Sequence, residues 1–121
     1  MTHKYKLPHE IYHEAQWAVR AYRWQKAEYE SALQKAHLMD GQPRGTQISD
    51  PTYSATLQRL KYHDEVMAVE KAISKIPEEY VKGILEAIYW RRPYPNYAAV
   101  STWKRWRQRL IYWVAFYKGW I

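Results

Sequence analysis

Residues 9–37 run without Gly or Pro and are rich in Ala, Glu, Gln, Lys and Arg, so the chain opens on one long helix. Pro8 stands just ahead of its start, where a missing N–H does no harm. Ile11, Ala15, Ala18, Tyr22, Tyr29, Ala32 and Ala36 recur in steps of three and four, broken by Gln25, as on a helix face packed against another helix. Trp17, Ala21 and Trp24 form a second stripe. Two apolar stripes on one helix call for two partners, one within the chain and one from another copy, which makes Trp17 and Trp24 the candidate oligomer interface.

Breakers punctuate the rest. Gly41, Pro43 and Gly45 place a loop at 38–50, and Asp50-Pro51 reads as a capping carboxylate followed by Pro at the first helical position. A second helix is expected from there to Ile76, with Tyr62, Val66, Val69, Ile73 and Ile76 as its stripe. Two long helices of about 25 residues, well beyond the usual globular mean, most simply make an antiparallel hairpin. Pro77-Glu78-Glu79 opens a third helix to Tyr89, with acids where the helix dipole favours them. Residues 91–100 hold two prolines and read as a turn. Ser101 is expected to cap a fourth helix that Gly119 stops after Lys118. Trp103, Trp106, Leu110, Trp113, Val114 and Tyr117 share one side of that helix; Lys104, Arg105, Gln108, Arg109 and Tyr112 share the other. The expected fold is all-α: a hairpin over 1–76 for dimerisation or partner binding, then a small helix-turn-helix-like unit over 77–121.

Charge divides the chain at the same place. Residues 87–121 contain no Asp or Glu but seven cations, whereas the 12 basic and 12 acidic side chains before them balance, so the net +7 belongs to one end. That end also carries 11 of the 20 aromatics. A neutral helical part joined to a basic, aromatic one suits a polyanion reader on an assembly scaffold. In a helix-turn-helix the first turns of the second helix lie near base edges in the major groove, here Thr102, Lys104, Arg105 and Gln108. Arg91, Arg92, Arg107 and Arg109 are placed to hold phosphates. The expected partner is double-stranded DNA.

The stretch Ile76-Pro77-Glu78-Glu79-Tyr80, then Gly83-Ile84-Leu85, then Thr102-Trp103-Lys104-Arg105-Trp106-Arg107-Gln108-Arg109-Leu110 resembles phage and prophage regulators of the RinA/ArpU late-transcription type. Those in turn resemble the C-terminal DNA-binding region of sigma factors. Ser49-Asp50-Pro51-Thr52 is similar to the segment that starts the helix before the reader in that group. The resemblance covers roughly residues 49–118, about the size of a small domain. It implies transcriptional control in a bacterial host's cytoplasm through a sigma-like helix-turn-helix, with RNA polymerase as a candidate partner of the N-terminal hairpin. The chain departs from the pattern at Pro93 and Pro95, where a sigma-like reader has a short helix.

Other chemistry is poorly supplied. There is no Cys, which removes disulfides, thiol nucleophiles and Cys-ligated zinc. His9 and His13 stand four apart beside Glu10 and Glu14, but structural zinc wants four ligands, so they read as surface histidines, with His3, His37 and His63 elsewhere. No Gly-rich phosphate loop, nucleophile elbow or carboxylate pair is visible, so neither an enzyme nor a cofactor is expected. No apolar run reaches the roughly 20 residues of a membrane span, and no apolar core follows Lys4 and Lys6 to make a signal peptide. Homodimers or higher oligomers are expected. The competing reading is a helical assembly protein, such as a small packaging-terminase subunit, that touches DNA without reading it; a plain helical module docking an acidic protein is a third.

Overall fold

The computed structural model describes residues 4–40 and 60–121, and among them every regular element is helical. Helix α1 spans His9–Asp40, α2 His63–Ile73, α3 Glu78–Trp90 and α4 Val100–Tyr117. The loop signals at Gly41, Pro43 and Gly45, the Asp50-Pro51 start, the Ser49–Thr52 segment and His3 lie outside the described residues.

At 32 residues α1 is the frame of the molecule, about 48 Å long at the standard helical rise. It starts where expected: the Tyr12 amide bonds the Pro8 carbonyl at 2.9 Å. It ends at Asp40 rather than 37. Among its residues with described burial, Ala15, Val19, Tyr22 and Tyr29 are buried.

Helix α2 corrects the expected unbroken second helix to Ile76. It has 11 residues and begins only after Tyr62, whose φ of 69° is left-handed. A helix running unbroken through Tyr62 is therefore excluded, although no Gly or Pro marks the break. The conformation is one a bulky residue adopts only when its surroundings impose it. Here the Tyr62 ring packs edge-on against Trp24 at 5.0 Å. Tertiary packing has overridden local propensity. From that point α2 runs back along α1: His63 meets Tyr29 at 5.6 Å and Glu70 accepts a 2.8 Å hydrogen bond from the Tyr22 hydroxyl.

Helix α3 matches its sequence signals. Pro77 precedes the first turn, Glu78 and Glu79 occupy it, and Gly83, Ile84, Ala87 and Ile88 are buried. Helix α4 differs at its start. Ala99, not Ser101, occupies the cap position, no side chain caps the helix, and Ser101 is exposed within the first turn. The carbonyl of Ala99 instead takes the amides of Thr102 and Trp103. The far end behaves as expected. Gly119 has φ +77°, its amide bonds Phe116, and the Trp120 amide bonds Ala115, the paired bonds of a Schellman stop.

All four helices feed one apolar cluster. From α4 it takes Trp103, Leu110, Ile111, Val114 and Ala115. Ile111 and Ala115 are additions to the expected face, whereas Trp106, Trp113 and Tyr117 are only half-buried. The face is displaced because α4 packs on both α1 and α2 rather than on one neighbour.

Candidate nucleic-acid interface

The basic end is organised around Trp103. Its indole is fully buried, donates Nε1–H to the Pro95 carbonyl at 3.0 Å, and lies parallel to Tyr94 at 5.7 Å. Tyr80 and Tyr97 meet it edge-on at 5.0 and 5.3 Å. The Tyr97 hydroxyl also bonds the Glu79 carbonyl, tying the connection to the start of α3. Residues 91–99 contain no helix. A turn at residues 96–97 follows Pro93 and Pro95, and aromatic stacking rather than a middle helix fixes the connection.

On this frame the candidate DNA-contacting side chains divide. Arg91, Arg92, Lys104 and Arg105 are exposed, and Thr102 is half-buried in the first turn of α4. Arg92 pairs with Glu86 at 3.4 Å. Among the described residues no carboxylate pairs with Arg91, Lys104 or Arg105. Arg91 terminates α3 with φ 56°, a left-handed position that Gly usually fills.

The other three candidates have partners inside the molecule. Arg107 donates to the Gln16 side-chain carbonyl at 2.9 Å and to the Tyr94 hydroxyl at 3.3 Å, so it clamps the connection onto α1. Gln108 donates its amide N–H to the Tyr5 backbone carbonyl at 2.6 Å. The Arg109 guanidinium lies between the rings of Tyr5 and Trp106, at 4.7 and 4.8 Å. Tyr5 also packs edge-on against Tyr112 at 5.0 Å. The segment before α1 thus crosses the middle of α4, leaving its first turn clear. Nothing in the sequence spacing marked Tyr5 for this role.

A second arrangement has no counterpart in the sequence motifs. Arg23 of α1 lays its guanidinium over Trp90, 4.2 Å from the ring centroid. This brings cations of the neutral part of the chain to the edge of the basic part. The visible signal is the step His13, Gln16, Arg20, Arg23, a helical strip with no acid in it.

Trp17 and Trp24 are 65% and 48% exposed. Each has some company: Arg20 lies over Trp17 at 5.1 Å, and Tyr62 packs on Trp24. The rings of His9 and His13 meet at 4.2 Å. Among the described residues no three of His, Asp and Glu gather as a metal site would require, and no helix is long and apolar enough to cross a membrane. No family model, curated protein or solved structure matches the chain.

Proposed function

We propose that the protein binds double-stranded DNA through its C-terminal unit and acts as a transcriptional regulator of phage type. The observation that carries this reading is the exposure of Arg91, Arg92, Lys104 and Arg105 within a stretch that has no acid after Glu86. Such a surface attracts phosphates and releases their counterions. Arg91 adds a second argument. A non-Gly residue held left-handed costs about 1–2 kcal/mol, and such a cost is commonly kept where a side chain is needed. In this reading Thr102, Lys104 and Arg105 lie nearest the bases, while Arg91 and Arg92 hold the backbone. Arg107, Gln108 and Arg109 shape the surface rather than read it.

The engagement of Gln108 by Tyr5 favours the second reading, an oligomeric assembly protein that grips DNA without sequence preference, because it removes the side chain best suited to adenine. The exposed Trp17 and Trp24 suit self-association in either case. Selecting bound duplexes from a random pool decides between them. Enrichment of a defined motif supports the regulator. Binding without enrichment, with a ring-sized mass in solution, supports the assembly protein. No binding at all rejects both.

A further inference from the structure

We propose that the DNA-binding surface continues across α1, where Arg20 and Arg23 supply a second row of phosphate contacts beside the α3–α4 connection. This rests on the DNA-binding reading above and extends it to a helix outside the basic stretch.

The geometry comes from three contacts. Arg107 of α4 reaches Gln16 of α1 at 2.9 Å and Tyr94 of the connection at 3.3 Å. Two turns further along α1, Arg23 covers Trp90, the last residue of α3, at 4.2 Å. Gln16, Arg20 and Arg23 follow helical steps of four and three, so they form one strip, and that strip flanks the start of the connection. The exposed Arg91 is the next residue after Trp90.

Three acids of α1 lie off this strip, and a fourth, Glu30, two turns beyond Arg23, is taken up by Lys26. Glu10, Glu14 and Glu28 share helical register with Trp17, Ala21 and Trp24. Glu30 meets Lys26 at 4.0 Å, and Lys26 also meets Glu70 at 3.3 Å. Among the described residues neither Arg20 nor Arg23 pairs with a carboxylate. What each does have is an aromatic face: Trp17 for Arg20 and the half-exposed Trp90 for Arg23. An arginine held over an indole has less rotamer freedom to lose when a phosphate arrives. The overall neutrality of residues 1–86 therefore conceals a cationic strip that adjoins Arg91. Its occupant is the sugar–phosphate backbone of the duplex held by α4. The exposed Trp24 is the residue left for a protein partner.

The test is a salt titration of binding to a short labelled duplex. The paired change Arg20→Ala and Arg23→Ala should weaken binding about tenfold at moderate salt and lower the slope of log K against log salt by about two, one for each phosphate no longer neutralised. The paired change to Lys should keep the slope, because it preserves the charges. Lys35→Ala, an exposed cation further along α1, should change nothing. A wild-type slope in the Ala pair, with Arg91→Ala still lowering it, would overturn the extension across α1 and leave the DNA-binding reading intact. Loss of slope in a folded Lys pair would overturn it as well. Absence of salt-dependent binding by the unmodified protein would overturn both.

Discussion

Gly83 and Trp103 are in direct contact across the α3–α4 interface: a Cβ at position 83 would stand 2.7 Å from Cζ3 of the indole and 2.8 Å from its Cη2. The ring lies on the bare backbone of α3. Pro95 Cδ, 3.1 Å from the same point, closes the other side. This approach sets the separation of the two helices and so the position of the first turn of α4.

Gly83→Ala should therefore destabilise the fold by about 1–3 kcal/mol, the usual range for overpacking a tight core. An unconstrained Gly in mid-helix would give the opposite sign, a gain of about 0.5–1 kcal/mol with Ala. Urea unfolding monitored by circular dichroism distinguishes the two, and a stabilised variant would show that the ring can retreat.

Alkaline pH should weaken the fold. Burial pushes the Tyr89 hydroxyl up to about 12, with nearby Tyr22 reinforcing the shift. Tyr22 is also raised, by burial first and then by its hydrogen bond to Glu70. Both groups hold their protons more tightly folded than unfolded. Their contribution is complete below the ordinary tyrosine value of about 10 and is lost as pH climbs from there through the folded values. Melting temperature should fall steadily above that point, and Tyr22→Phe should flatten the fall. Equal pH profiles for the two proteins would remove Tyr22 from this account.

The helical class, the third helix, the Gly119 stop and the exposure of Trp17 and Trp24 were legible because each depends on local signals: propensity, Pro placement, left-handed Gly and three-four spacing. The break at Tyr62 was not, because its cause is a ring on another helix. The spacing makes Trp106 and Trp103 equal packing residues of α4, but of the two only Trp103 is fully buried, against Gly83. The cap at Ser101 failed for a related reason. Contacts of residues 94–97 with Trp103 and Glu79 fix the entry into α4, and they place the cap two residues earlier, at Ala99. At the candidate site, sequence identified the cations but not their neighbours. Gln108 and Tyr5 are over a hundred positions apart, and Arg107 and Gln16 ninety-one.

Arg91 should display opposed effects on stability and binding. Arg91→Gly relieves the left-handed backbone, so stability should hold or rise by up to about 1 kcal/mol. Affinity for duplex DNA should fall at the same time, with the salt slope reduced by about one. Thermal melts and binding titrations on the same preparation check both halves. Lost stability would mean that the side chain, not the backbone conformation, holds the end of α3.

The most direct test of the central claim is a binding titration against duplex DNA at several salt concentrations, comparing the protein with the triple variant Arg91→Ala, Lys104→Ala, Arg105→Ala. These three are exposed and unpaired with any carboxylate among the described residues, so their loss should leave the fold intact. The prediction is a linear fall of log K with log salt for the protein, and a slope lower by about three in the variant. An unchanged slope in a folded variant, or no salt-dependent binding by the protein itself, would contradict DNA binding through the C-terminal unit.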